Sequence, residues 1–272
     1  MSSTHDILVI DDEPVVLQGI ERICRGEGLA VDTATGGMAG LKQLERHAYR
    51  LILCDIMMED LNGFGFLAEF RRRGNRTPVV LASGYSTGEN AIRSLQCGAF
   101  DYIAKPFTAD ELIAVIRRAL NYNSLLEENP EALTAKVPHV ANFHSLGRVS
   151  WAASKPEGTV LIGVDDLFIK TMNGLRSVEL APVGTNLVQG TSCATMTSTD
   201  GLAHSIMCPV SGQILQAHGE AATNISAIET DPFGGGWLYR ILPSDLEYSF
   251  RCLTSPSDPS DRRQVQQKEE IS

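Results

Sequence analysis

The chain has 272 residues, of which 43% are hydrophobic and 21% are charged, as in most soluble globular proteins. Its formal net charge of −10 leaves no basic surplus for a phosphate backbone, which argues against a nucleic-acid partner. No apolar run is long enough to cross a membrane, and the first residues lack the pattern of a secretion signal. We therefore expect a cytoplasmic protein of two domains without a membrane partner.

The first half alternates short apolar segments with segments of helical periodicity. Each apolar segment has the length of a buried strand, whereas Val16, Ile20 and Ile23 repeat with the spacing of one helical face. Five strands that alternate with five helices predict an α/β fold, a doubly wound five-stranded parallel sheet of the flavodoxin-like kind. The predicted strands lie at residues 7–10, 29–31, 51–54, 77–83 and 99–104.

Polar side chains follow several of these strands at the point where each strand ends. The carboxyl ends of parallel strands meet at one edge of a sheet, so we expect these side chains to lie close together. Carboxylates crowded in this way repel one another unless a cation such as Mg²⁺, which prefers oxygen ligands, lies among them. An aspartate beside such a cation, with a lysine and a hydroxyl nearby, has the composition of a phosphoryl acceptor, although a structural ion cluster is the alternative. The residues are Asp11, Asp12, Asp55, Ser83 and Lys105.

Residues 5–122 resemble the receiver domain of bacterial two-component response regulators. The resemblance depends on the Asp-Asp-Glu-Pro segment at 11–14, on Asp55, on the Ser-Gly pair at 83–84 and on the Tyr-Ile-Ala-Lys-Pro-Phe segment at 102–107. These motifs occur in the family's order and on the expected elements.

The resemblance implies a phosphorelay protein that is phosphorylated on Asp55. The donor would be a sensor histidine kinase or a phosphotransfer protein. Ser83 and Lys105 would contact the phosphoryl group, and Tyr102 would be the switching aromatic residue. The receiver would catalyse its own phosphoryl transfer and hydrolysis, and we expect no other enzymatic activity.

The resemblance also implies a magnesium site. Asp11, Asp12 and Asp55 would bind Mg²⁺ together with the backbone carbonyl of Met57. Phosphorylation is expected to change the surface formed by the fourth helix, the fifth strand and the fifth helix. That change would alter either homodimerisation through this face or contact with the second domain.

The second half has a different sequence pattern, in which short segments typical of β-strands are separated by turn residues. We place the receiver at 1–123, a linker at 124–142, a mostly-β domain at 143–250 and a disordered tail at 251–272. Helical periodicity is expected to continue a turn or two past residue 123. Within the β domain only one segment, residues 165–172, is a helix candidate.

The mostly-β domain resembles the lipoyl-carrying H protein of the glycine cleavage system. The resemblance depends on segments 162–166, 178–184, 208–214 and 231–238, in the same order. It implies a lipoyl-domain-like fold, a flattened barrel or sandwich. The family attaches lipoate to a lysine at the tip of a β-hairpin.

That lysine is missing from this sequence. The corresponding position falls at about Asp200 or Gly201, which have the composition of a two-residue hairpin turn. The sequence has no lysine between Lys170 and Lys268, so no neighbour can replace the missing amine. We therefore expect the fold without lipoate.

Two classes of function remain open. The first is a response regulator whose H-protein-like domain is an output module that binds a protein target, which the sequence does not identify. The second is a regulator or partner of glycine cleavage or lipoate metabolism, and a simple phosphate sink is a weaker alternative. The missing lysine favours the first. No segment has the pattern of a helix-turn-helix with a basic recognition face, which argues against direct transcriptional output.

Overall fold

A parallel sheet forms the centre of the N-terminal domain of the computed structural model, which describes residues 5–85, 87–128, 142–219 and 224–255. Its five strands are hydrogen-bonded in the order β2-β1-β3-β4-β5. The predicted doubly wound α/β fold is confirmed. The elements are β1 (His5–Ile10), α1 (Pro14–Gly26), β2 (Val31–Ala34), α2 (Gly37–Gln43), β3 (Tyr49–Asp55), α3 (Gly63–Arg72), β4 (Val79–Ser83), α4 (Gly88–Gln96), β5 (Asp101–Ala104) and α5 (Ala109–Glu128).

Both faces of this sheet are buried, because alternate residues of each strand point into different hydrophobic layers. In β3, Leu51 and Leu53 belong to the layer under α1 and α5. Ile52 and Cys54 belong to the layer under α2 and α3. Asp55 is the last residue of the same strand, so this rigid, buried strand holds its carboxylate at the sheet edge.

The fifth helix begins where the sequence predicts. The amide of Thr108 donates to Glu111 Oε2 at 2.7 Å, and the amide of Glu111 donates to Thr108 Oγ1 at 3.2 Å, which forms a capping box. The helix continues to Glu128, as the periodicity past residue 123 indicates, so the first residues of the predicted linker are helical. In the described ranges, no helix is both long and apolar enough to cross a membrane.

The C-terminal domain consists of two antiparallel sheets around one hydrophobic core, which confirms the predicted mostly-β fold. The larger sheet has the order β10-β13-β14-β8-β7-β6 and the smaller has the order β12-β11-β9. Within the described part of this domain, two short helices occur at Ile225–Thr230 and Leu246–Arg251, which the sequence does not predict. The elements are β6 (Phe143–Leu146), β7 (Ser150–Ser154), β8 (Val160–Val164), α6 (Asp166–Thr171), β9 (Leu175–Leu180), β10 (Asn186–Leu187), β11 (Ser192–Ser198), β12 (Ala203–Met207), β13 (Gly212–Ala217), α7 (Ile225–Thr230), β14 (Trp237–Pro243) and α8 (Leu246–Arg251).

The packing of this domain continues past the predicted boundary at residue 250. Ser145 and Thr254 exchange two backbone hydrogen bonds of 2.9 Å, and Leu253 is buried. Residues 251–255 are therefore part of the domain and not of a tail, because a distant strand supplies their partners. Residues 256–272 of the predicted tail lie outside the described residues.

The two domains are in contact through α4 and α5 of the first domain. Ile92 and Leu95 of α4 are buried in the hydrophobic core cluster of the second domain. Gln96 Nε2 donates to the carbonyl of Cys252 at 3.1 Å. The face through which we predicted a homodimer is therefore covered by the chain's own second domain, and the homodimer stays a prediction.

His204 of β12 is a buried histidine beside this contact. Its Nε2 lies 3.1 Å from Ser198 Oγ, and its ring packs edge-on against Phe168. Burial lowers the pKa of His204 to about 4, and the positive charge of Arg118 from the first domain acts in the same direction, against the opposing charge of Asp200. The folded protein therefore holds this imidazole neutral.

We expect the stability of the protein to decrease as the pH falls from about 6.5 towards 4. In this window the unfolded state binds a proton at His204 and the folded state does not, so the free energy of unfolding should fall by about 2 kcal/mol between pH 7 and pH 5. Thermal denaturation of His204→Gln should show a smaller pH dependence than the native chain. His47→Gln, at an exposed position, is the control, and equal pH dependence in all three proteins would contradict the assignment.

Candidate phosphoryl-acceptor site

A lysine lies between two buried carboxylates at the carboxyl edge of the parallel sheet. Lys105 Nζ is 2.5 Å from Asp55 Oδ1 and 2.6 Å from Asp11 Oδ2. Asp55 and Asp11 are 5% and 2% exposed. Three of the five residues that the sequence predicted to converge thus form one hydrogen-bonded cluster.

The backbone fixes this arrangement at each strand end. Asp11 directly follows β1, and its Oδ1 accepts the amide of Glu13 at 3.0 Å. Asp55 ends β3, and its Oδ2 accepts the amide of Met57 at 2.5 Å. The amide of Lys105 donates to the carbonyl of Ser83 at 2.8 Å, which ties the segment after β5 to the end of β4.

Two opposing effects set the pKa values in the cluster: burial disfavours the charged forms, and the ion pairs favour them. Burial raises the pKa of Asp55, and Lys105 only partly offsets this effect. Burial lowers the pKa of Lys105, but the hydrogen bonds with Asp11 and Asp55 outweigh it and raise the pKa above its ordinary value. The lysine is therefore held as a cation. Both oxygens of Asp55 therefore accept a hydrogen bond, Oδ1 from the lysine and Oδ2 from the Met57 amide.

Ser83 and Tyr102 lie on the two neighbouring strands, as predicted. The buried Ser83 hydroxyl accepts the amide of Tyr85 at 3.1 Å. The Tyr102 hydroxyl is buried close to Ser83, without a hydrogen bond of normal length. Burial raises the pKa of Tyr102. The aromatic side chain thus already lies next to the hydroxyl that would contact a phosphoryl group.

The predicted magnesium ligands are only partly assembled. Asp12 is half-buried and is not part of the hydrogen-bonded cluster, and Met57 contributes its amide to Asp55. Among the residues that the structure describes, no three acidic, histidine or cysteine side chains form a ready metal site. The chemistry of the donors still fits Mg²⁺, because Asp11 and Asp55 present hard carboxylate oxygens at the sheet edge and Asp12 is adjacent in the chain.

Sequence reasoning missed a second buried ion pair in the receiver, at the opposite end of β5. Asp101, at the start of β5, pairs with Arg118 of α5, and both are more than nine-tenths buried. Asp101 also accepts the amide of Tyr102 at 2.8 Å. The available signal was a charged residue three positions after Val115 on the apolar face of α5.

The hairpin at residues 198–202 contains the position where the family resemblance would place a lipoyl lysine. The amide of Ser198 donates to the carbonyl of Leu202, and the amide of Gly201 donates to the carbonyl of Ser198, each at 2.9 Å. The loop therefore has three residues, and the predicted two-residue turn is wrong. Gly201 has φ +88°, the left-handed conformation that the last residue of such a loop requires.

Comparison with known proteins assigns each half separately. Residues 7–117 match the family model of the response regulator receiver domain. Residues 143–262 match the family model of the glycine cleavage H-protein. The two matched segments correspond to the two domains of the structure.

The chain is also similar to individual relatives and solved structures. The transcriptional regulatory protein ZraR of Escherichia coli O157:H7 is 33% identical over 172 residues, which cover 60% of this chain and 38% of that protein. The receiver domain of NtrX from Brucella abortus is 38% identical, with 42% of this chain and 98% of that chain covered and a TM-score of 0.41. The glycine cleavage system H protein of Mycobacterium marinum is 26% identical, with 46% and 99% covered and a TM-score of 0.40.

Loss of the lysine should destabilise the first domain. We expect Lys105→Met to lower the free energy of unfolding by about 3 kcal/mol at pH 7, because two buried carboxylates lose their cation. Urea denaturation in the presence of a chelator measures the change. Lys105→Met combined with Asp55→Asn should recover part of the loss, and the exposed Lys42→Met is the control. Equal effects at positions 105 and 42 would contradict a cluster held together by Lys105.

Proposed function

We propose that this chain, which joins a response regulator receiver domain to a glycine cleavage H-protein domain, is a phosphorelay response regulator phosphorylated on Asp55. The observation that carries the proposal is the cluster of Asp11, Asp55 and Lys105 at the carboxyl edge of the receiver sheet. The phosphoryl donor is a sensor histidine kinase or a phosphotransfer protein, and the protein acts in the cytoplasm.

The proposed reaction is a transfer from a phosphohistidine to a carboxylate. A carboxylate oxygen of Asp55 attacks phosphorus, the bond from phosphorus to the imidazole nitrogen breaks, and the imidazole leaves with its electron pair. Lys105 releases Asp55 Oδ1 and neutralises charge on the phosphoryl oxygens, while the Ser83 hydroxyl donates to one of them. Mg²⁺, when bound by the aspartates, supplies further charge neutralisation. Attack of water on the acyl phosphate ends the signal.

The H-protein domain is proposed as a protein-binding output module. No lysine occurs between Lys170 and Lys268, so the amine that would form an amide with lipoate is missing from the hairpin. Asp200 of that hairpin instead accepts hydrogen bonds from neighbouring side chains. We therefore expect the domain to keep the H-protein fold and to bind its target through its surface. ZraR is named a transcriptional regulatory protein, but this chain covers only 38% of ZraR. The proposal for this chain therefore does not include transcriptional regulation.

The signal is proposed to leave the site along β5. Ser83 lies beside Tyr102, and the amide of Tyr102 is bonded to Asp101 on the same strand. Asp101 pairs with Arg118, which contacts the second domain. A shift of Ser83 towards a phosphoryl group would therefore displace residues that the second domain packs against. Such a change can alter the domain contact only by a difference in affinity between the two states.

A role in glycine cleavage or lipoate metabolism, or as a phosphate sink, is the competing proposal. The family match of residues 143–262 supports the metabolic alternative, and the missing lysine counts against a carrier role.

Phosphorylation should require the Asp55 carboxylate. With Mg²⁺ and a small phosphodonor, the native chain should gain one phosphoryl group that base and hydroxylamine remove, as they do from an acyl phosphate. Asp55→Asn should gain none, because an amide is not a nucleophile. Intact-mass spectrometry measures the uptake, and Asp110→Asn, at an exposed position, is the control that should behave as the native chain. Undiminished uptake by Asp55→Asn would falsify the proposal.

The H-protein domain should carry no lipoate. After co-expression with a lipoate ligase, the intact mass of the chain should match the unmodified sequence, because the hairpin provides no amine. An authentic H protein expressed alongside it should gain the lipoyl mass. A lipoyl adduct on any residue of the second domain would rule out the loss of carrier chemistry.

A further inference from the structure

One end of the contact between the domains is polar and involves the hairpin at residues 198–202. Arg117 Nη1 of α5 donates to Asp200 Oδ2 at 3.0 Å, and Arg117 Nη2 also donates to Glu27 at 2.7 Å. Asn121 Nδ2 donates to the carbonyl of Thr171 at 2.9 Å and to Asn173 Oδ1 at 3.0 Å. Two successive turns of α5 therefore present donors to the hairpin and to the end of α6.

The centre of the contact is a buried arginine shared by both domains. Arg118 is 3% exposed, and its guanidinium lies 3.7 Å from the centroid of the Phe168 ring of α6 while it pairs with Asp101 of the receiver. A desolvated guanidinium on an aromatic face is a favourable cation–π contact. The ring of the second domain covers a charge that belongs to the receiver, so the receiver alone would expose it.

The other end of the contact is closely packed backbone. A side chain at Gly88, the first residue of α4, would collide with the carbonyl of Gln189, and one at Gly190 would collide with the carbonyl of Gly88. The side chain of Leu95 packs against Gly147 of the second domain. Such close approach of two backbones leaves little room for sliding, so the surfaces fit in one register.

The hairpin aspartate is held as an anion suited to this contact. Burial raises the pKa of Asp200, but hydrogen bonds from Ser198, Asn173 and Arg117 outweigh it and lower the pKa to about 2. The Asn173 amide donates to the same Oδ2 atom at 2.8 Å, which orients the carboxylate towards α5. The carboxylate is therefore charged at neutral and mildly acidic pH.

We propose that the hairpin at 198–202 and the end of α6 form a docking surface for the receiver's own fifth helix, and that Arg117 and Arg118 hold the two domains closed as one unit. The partner that this surface fits is a helix presenting two adjacent arginines followed by an asparagine three residues later. In the resting protein that helix is α5, so the output surface is occupied until the domains separate.

A charge-reversal series in the full-length chain tests the proposal by hydrogen exchange. Asp200→Arg places two cations together, and it should raise amide exchange at least tenfold in residues 198–204, in residues 117–124 and in α4 (Gly88–Gln96). Arg117→Asp should do the same, and the double exchange Arg117→Asp with Asp200→Arg should return the rates to within threefold of the native values. Glu179→Arg, an equal charge change at an exposed position of β9, is the matched control and should change none of them.

Two results would overturn the docking surface. One is faster exchange confined to the hairpin in Asp200→Arg, with α4 and α5 unchanged, which would show that the contact does not open as a unit. The other is the absence of rescue in the double variant. Phe168→Leu tests the contact between Arg118 and the aromatic ring independently. It should also raise amide exchange in α4 and α5, because leucine fills the core but offers no aromatic face.

The test is independent of the phosphoryl site. Asp200→Arg should still take up one phosphoryl group on Asp55, as measured by intact mass. If the native chain is never phosphorylated but the charge-reversal series behaves as expected, the proposed function fails and the docking surface stands. If uptake is normal and the series fails, only the docking surface is wrong.

Discussion

The structure depends on how one lysine is shared by two buried carboxylates. Lys105 Nζ contacts Asp11 and Asp55 at 2.5–2.6 Å in a region where both acids are almost inaccessible to solvent. A carboxylate in such a place is protonated unless a cation is held against it. The lysine keeps the cluster charged and places positive charge beside the oxygen atoms of Asp55. The same geometry that stabilises the sheet edge is the one on which the proposed phosphoryl transfer depends.

Lys105 also follows directly on β5, the edge strand whose first residue pairs with Arg118 of the domain contact. β5 (Asp101–Ala104) carries Asp101 and Tyr102, and the peptide segment after it carries the lysine. A single short strand thus connects the phosphoryl site with the buried Arg118 and with the ring of Phe168. A closely packed interior does not deform continuously. We therefore expect a small displacement at one end of this strand to displace the residues at its other end.

The sequence predicts what depends on periodicity and strand ends. Asp11, Asp55 and Lys105 could be expected to converge because each follows a buried strand of a parallel sheet. The separation of Asp12 from the cluster could not, since it depends on how the chain turns after β1. The Arg118–Phe168 contact was also beyond prediction, because the docking of two domains leaves no periodic signal in either. The pairing of Thr254 with Ser145 was missed for the same reason, as its partner lies far away in the chain.

The coupling between the phosphoryl site and the docking surface is the central claim, and it can be measured as a linkage free energy. Titration with beryllofluoride, a phosphoryl mimic, in the presence of Mg²⁺ gives a Kd for the native chain, for Asp200→Arg and for the control Glu179→Arg. If closure of the domains opposes phosphorylation, Asp200→Arg must bind the mimic more tightly than the native chain, because its domains are separated more often. The ratio of the two Kd values should be about the factor by which the variant increases the population with separated domains. Equal Kd values for Asp200→Arg and the native chain would show that the two sites act independently.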